Sequence, residues 1–169
     1  MKFGDMHGSR VVSVADAQEL GTIDDAFLDV EAGKVVGLRI KPGGLFSGHK
    51  AVPLKDVKSI GPDAVTVETP EVVVEVDATD ELKAARGLHS LNGMQVLDDR
   101  GVEVGHLADV DADFNTGRLL TLVMTGTAAE RKQHQSREVP ASAIQSFGER
   151  LIVVRSADLL PPEAAGAGS

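Results

Sequence analysis

The chain has 169 residues and a formal charge of −9, from 26 acidic and 17 basic side chains, and it contains no Cys, Trp or Tyr. This composition excludes disulfide and thiol chemistry, and it argues against a dedicated nucleic-acid binder, which would carry a basic stripe and stacking aromatics. A hydrophobic content of 42% fits one globular domain or two small ones.

In chain order, Met1 to Ser9 is interrupted by Gly4, Asp5, His7 and Gly8 and lacks the apolar centre of a signal peptide. No apolar run approaches the ~20 residues that span a bilayer. The expectation is a cytoplasmic protein without membrane insertion. Gly21–Val30 and Lys34–Lys41 read as two strands turning at Ala32-Gly33, since β-branched residues predominate and glycine supplies the positive φ of a tight turn. Lys41 to Lys50 is a glycine-rich loop displaying Leu45 and Phe46. Pro53 suits the start of an edge strand or a turn, where its missing N–H costs no ladder bond. Val65 to Val67 is a short strand, and Glu71 to Val76 reads as another. Thr79 to Gly87 has the signature of a short helix: a Thr/Asp start, acids in the first turn, a base in the last and a closing glycine.

The second half repeats the first. Glu19-Leu20-Gly21-Thr22-Ile23-Asp24-Asp25 matches Glu103-Val104-Gly105-His106-Leu107-Ala108-Asp109. At the same offset, Asp29 to Val36 with Gly33 matches Asp113 to Leu120 with Gly117. Gly105–Phe114 and Arg118–Thr125 are therefore the second hairpin. After a longer connection Val52-Pro53 matches Val139-Pro140, and Val65 to Val67 matches Ile152 to Val154. Gly21, Gly33 and Pro53, with Gly105, Gly117 and Pro140, are the structural turn and hairpin positions. Ordered twice, they signal an internal duplication. Residues 1–77 form the first repeat, 78–91 a linker with the short helix, 92–157 the second repeat and 158–169 a small-residue tail. With so many short strands in each repeat, barrel closure is the natural way to remove free edges.

The candidate chemistry is thin. Asp109-Val110-Asp111-Ala112-Asp113 opens like a calcium loop, but Phe114 stands where glycine is required and Leu120 where a bidentate Glu is required. Alternating acids on the wet face of a strand explain it better. In the segment Gly48-His49-Lys50, His49 breaks the Gly-Lys-Ser/Thr order of a phosphate loop. The Asp24-Asp25 and Asp98-Asp99 pairs do not form an acid/base dyad, and Asp98 to Gly101 reads as a turn. No catalytic residue, metal ligand or cofactor site is assigned.

The duplicated unit resembles the PRC-barrel pattern, in which an "lGxvxD" strand leads to a "d-x-x-x-G-x-v" hairpin and a "vP" strand. The first copy carries it as Leu20-Gly21-Thr22-Ile23-Asp24-Asp25, Asp29 to Val36 and Val52-Pro53. The second carries it as Val104-Gly105-His106-Leu107-Ala108-Asp109, Asp113 to Leu120 and Val139-Pro140. The resemblance implies a mainly β protein, two small PRC-type β-barrels in tandem joined by a strand and a short helix. PRC-barrels are non-catalytic modules, among them the cytoplasmic part of the photosynthetic reaction-centre H subunit, the C-terminal domain of the ribosome maturation factor RimM, and small stand-alone proteins. It therefore implies an adaptor or scaffold that binds another protein; an RNA- or ribosome-associated maturation factor of the RimM type is the alternative. A second copy of the chain is a further candidate partner. The contact residues are expected on two loops in equivalent positions: Leu45, Phe46, His49 and Lys50 on the first, and Arg131, Lys132, His134 and Arg137, a basic cluster in an acidic chain, on the second.

Overall fold

A computed structural model describes residues 1–43, 48–125 and 136–159. Within the first repeat the strands are β1 (Arg10–Ser13), β2 (Glu19–Asp29), β3 (Lys34–Lys41), β4 (Lys50–Pro53), β5 (Val57–Ile60) and β6 (Val65–Val67). The connecting segment adds β7 (Val74–Glu75), helix α1 (Asp80–Ala84), β8 (Arg86–Gly87) and helix α2 (Leu88–Leu91). The second repeat supplies β9 (Gln95–Asp98), β10 (Glu103–Ala112), β11 (Leu119–Thr125), β12 (Ser136–Pro140), β13 (Ile144–Phe147) and β14 (Leu151–Val154).

The duplication is carried into the hydrogen bonding. One sheet runs β5-β6-β1-β2-β3-β4-β7, with β8 added to β2, and the other runs β13-β14-β9-β10-β11-β12. The first six strands of the one follow the same order as the second sheet. In each, a single parallel pairing lies within the order: β1 with β6, and β9 with β14. The expected mainly β class holds, as two sheets.

The two sheets also bury the same positions. Val11, Ile23, Leu38, Ile40, Val52, Val65 and Val67 are all at most 1% exposed. Their counterparts Val96, Leu107, Leu122, Met124, Val139, Ile152 and Val154 are equally buried. Each exchange, such as Ile40 for Met124, conserves aliphatic character and approximate volume, which packed cores tolerate best. Cores this small are filled by branched aliphatics, and this accounts for the scarcity of aromatics.

By contacts the chain divides into two compact units. The first comprises Met1–Leu91 with Ala112–Leu119, and the second Asn92–Asp111 with the chain from Leu120 onward. Within the first unit the turn at Gly117 is held against the turn at Gly33. Val35 N–H donates to Gly117 O at 2.7 Å, and Leu119 N–H donates to Gly33 O at 3.0 Å.

Two local expectations change and a third is resolved. Glu71 to Val76 is only partly a strand: Pro70 opens a 3₁₀ turn over Pro70–Val72, its fixed φ suiting that position, and only Val74–Glu75 extends. Of the two places expected for Pro53 and Pro140, the start of a strand or a turn, the turn holds: each ends its strand. Their φ values of −55° and −61° lead into 3₁₀ turns at Leu54–Asp56 and Ala141–Ala143. The helix of the connecting segment is shorter than its sequence signature. Thr79 caps it, accepting from Leu82 N at 3.1 Å, but Ala85 is already extended and Arg86–Gly87 pairs with β2.

Candidate functional site

The buried polar residues among those described are Ser13, Asp25 and Asp98. A charge shielded from water must find partners, so these groups show first what the fold does with its chemistry. Asp25, the last acid of the repeated motif, sits on β2 at 3% exposure. Its Oδ1 accepts from Ala26 N and, across the sequence, from His89 N, each at 2.9 Å. The carboxylate thereby fastens α2 to the sheet. Gly87 leaves it room, since a Cβ there would stand 2.6 Å from Oδ2.

Asp98 plays the turn-forming part in the second unit. Its Oδ1 accepts from Arg100 N at 2.9 Å and Val102 N at 3.1 Å, and its Oδ2 from the Arg100 guanidinium at 2.7 and 3.1 Å. Arg100 first, and then these backbone donors, hold the Asp98 carboxyl below the ordinary value of 3.8 against the opposing effect of burial. Ser156 likewise holds Asp99 down, its N–H donating to Asp99 Oδ1 at 3.1 Å. The sequence reading of Asp98 to Gly101 as a turn is borne out. Both folded-state values lie below the unfolded one, so the stabilisation is complete above about pH 4 and is lost as pH falls through the depressed values. Asp98→Asn should therefore lower thermal stability at neutral pH, and the gap between variant and parent should narrow as pH falls below about 4. A constant gap across that range would mean that ionisation of Asp98 contributes nothing.

Of the expected contact residues, Leu45, Phe46, Arg131, Lys132 and His134 lie outside the described residues. His49 Nε2 is 2.9 Å from Asp24 Oδ2, and Asp24 also receives Arg39 Nε at 2.8 Å. Lys50 forms an ion pair with Glu75 on β7. Arg137 is half-buried on β12, opposite Met124 of β11. Gly21 and Gly105 occupy matching close approaches, where a Cβ would meet the Lys41 and Thr125 carbonyl oxygens at 2.4 Å. Asp109, Asp111 and Asp113 alternate with buried Val110, Ala112 and Phe114, as expected of a strand's wetter face. Among the described residues no group of three or more His, Asp or Glu side chains could hold a metal ion.

One feature escapes sequence reasoning. Above Val36, Gly37 and Ala51 of the first unit lies a second apolar cluster, formed by Leu82 of α1 with Phe27, Val74, Val76 and Ala85. Gly37 admits it, for a Cβ there would lie 2.8 Å from Leu82 Cδ2. The available signal was the valine run before α1, whose seat on β4 is a long-range pairing that no local pattern fixes.

These features define a class: a small β domain, duplicated, whose buried carboxylates hold turns and helices in place. The chain belongs to the PRC-barrel domain family, whose pattern matches residues 1–74 and again residues 85–160. A comparison with curated proteins finds no match. Among the described residues, no helix is long and apolar enough to cross a membrane.

Proposed function

We propose that this chain is a non-enzymatic tandem PRC-barrel adaptor of the cytoplasm, which binds another protein. The observation that carries the reading is the use made of the buried carboxylates. Asp25 and Asp98 turn their oxygens onto backbone N–H groups of their own unit. A catalytic acid or base is instead aimed into a cleft with its proton affinity tuned to the reaction. Asp98 is depressed by a neighbouring Arg and by turn donors, which is the pattern of a structural anchor. Membership of the PRC-barrel family supports the same reading at family level.

The contact surface is assigned to the β3–β4 and β11–β12 connections, which occupy the same place in the two repeats and differ in chemistry. The first offers Leu45 and Phe46, the second Arg131 and Lys132. Charge favours the second for an acidic partner: residues 1–84 carry 9 basic and 15 acidic side chains, residues 85–169 carry 8 and 11. The expected result is a specific partner co-purifying from the native cell, its yield reduced by Phe46→Ala or by Arg131→Glu with Lys132→Glu, while circular dichroism is unchanged. Retention by both variants would remove the loops from the interface.

The basic second loop also supports the alternative, an RNA-associated maturation factor. Binding through phosphates must weaken steeply with salt, by the linear fall of log affinity with log salt concentration. A chain that ignores RNA at low ionic strength is not such a factor.

A further inference from the structure

We propose that β7 and α1 form a displaceable strap over a docking groove of the first unit. The groove takes a segment of a partner protein: an extended aliphatic–acidic–aliphatic stretch followed by a helical turn that carries a leucine. Its floor is Val36 of β3 and Ala51 of β4, both buried, with Phe27 of β2 beside them. At its centre is the buried Gly37. Gly37 is not among the glycines of positive φ, so the backbone there does not require the residue. What the missing side chain provides is room, since a Cβ would lie 2.8 Å from Leu82 Cδ2. A glycine inside a strand weakens it and often marks the close approach of another group. On β11 the same place, opposite Pro140 as Gly37 is opposite Pro53, is held by Thr121.

The chain's own segment fills this groove, and it is lightly held. β7 meets β4 through two residues, Lys50 opposite Glu75 and Ala51 opposite Val74. The ion pair of Lys50 with Glu75 stands in water, where such pairs contribute little. The ammonium of Lys34 and the carboxylate of Glu81, both exposed, are 3.9 Å apart. Helix α1 has five residues, too few to persist without tertiary anchors, and buries only Leu82. A segment with so few buried apolar contacts opens before the sheet beneath it. Its two ends are fixed, by the buried Val67 of β6 and by the pairing of Arg86–Gly87 with β2. The strap can therefore lift while the fold persists.

The occupant follows from what lifts. Val74 and Val76 cover the apolar floor, Glu75 meets Lys50, and Leu82 fills the space above Gly37. A partner segment of the same chemistry regains these contacts and the main-chain bonds of the β4 edge, strand addition being an established mode of peptide recognition. It also meets Lys50, one of the contact residues expected from the sequence. A second copy of the chain is a poor source, because its own strap is tied at both ends to its own sheet.

The inference rests on the adaptor reading in one respect, that the chain binds a protein. Its test uses the full chain and the peptide of residues 69–86 as the stand-in for the partner segment. Leu82→Ala in the chain removes the plug and should tighten peptide binding roughly tenfold or more, because apparent affinity scales with the fraction of chain whose groove is open. A peptide carrying Leu82→Asp should bind that variant roughly tenfold more weakly. The chain has no cysteine of its own, so Lys50→Cys with Glu75→Cys gives a single disulfide across β4 and β7. Directly opposed Cα atoms of an antiparallel pair lie about 4.5–5.5 Å apart, within the reach of such a bond. Oxidised, this chain should bind no peptide; reduced, it should bind. Peptide binding unchanged by oxidation, no gain from Leu82→Ala at millimolar peptide, equal binding of the Leu82→Asp peptide, or self-association of the Leu82→Ala chain without peptide would each overturn the inference. If the oxidised chain captures the native partner as well as the reduced one, this inference falls and the adaptor reading stands. If the peptide behaves as expected but no protein partner is found in the native cell, the groove stands and the adaptor reading falls.

Discussion

Gly21→Ala should lower the stability of the first unit by about 3 kcal/mol, and Gly105→Ala that of the second by about the same amount. At Gly21, φ is +144°, a region that L side chains rarely adopt, and a Cβ would meet Lys41 O at 2.4 Å and Ile40 Cγ2 at 2.6 Å. At Gly105, a Cβ would meet Thr125 O at 2.4 Å. The obstacle in each case is the backbone carbonyl of the neighbouring strand, which cannot rotate away as a flexible side chain can. Relief would require β2 to separate from β3, or β10 from β11, where both strands carry the buried core. Gly43→Ala is the control, for nothing lies within 4 Å of a Cβ there, and its effect should stay within about 0.5 kcal/mol. Urea unfolding followed by far-ultraviolet dichroism measures all three. A Gly21→Ala midpoint equal to that of Gly43→Ala would show that the strands can part without cost.

Those two glycines explain why the fold was legible in the sequence. Each position of the repeated motif does one structural job. The glycine admits a carbonyl, the final acid sits on β2 or β10, and the hairpin glycines Gly33 and Gly117 take positive φ. Residues with one local role recur in order, and recurrence can be read without a structure. The aliphatic positions alternate with the strands and could be read in the same way. What stayed hidden depends on pairing across long separations. The seat of β7 on β4, the pairing of β8 with β2 and the bond from His89 N to Asp25 have no local pattern. The candidate site was less legible for the same reason. His49 and Lys50 were legible as polar side chains beside a loop, but their pairing with Asp24 and Glu75 comes from neighbouring strands.

Asp25→Ala should cost about 2 kcal/mol, because truncation leaves two N–H donors, those of Ala26 and His89, without their acceptor. The loss is selective. His89 lies in a helix of one turn, Leu88–Leu91, too short to persist without tertiary anchors. Leu88 and Leu91 are buried, at 4% and 0% exposure, so their packing also depends on where α2 is held. Amide exchange in α2 should therefore accelerate by more than that in β5 or β6, which Asp25 does not touch. Asp25→Asn retains one carbonyl oxygen for both donors and should cost less. Gly87→Ala attacks the same junction from the other side, since its Cβ would stand 2.6 Å from Asp25 Oδ2. The two substitutions share a contact, so their costs should not add, and the double variant should be less destabilised than the sum of the singles. Full additivity, with α2 exchanging no faster than the sheet, would mean that the carboxylate is merely buried and holds nothing. The counterpart Asp109 is half-buried on β10, where its Oδ1 accepts from Val110 N at 2.8 Å. In the first unit this motif position ties the connecting segment to the sheet, through the bond from His89 N to Asp25.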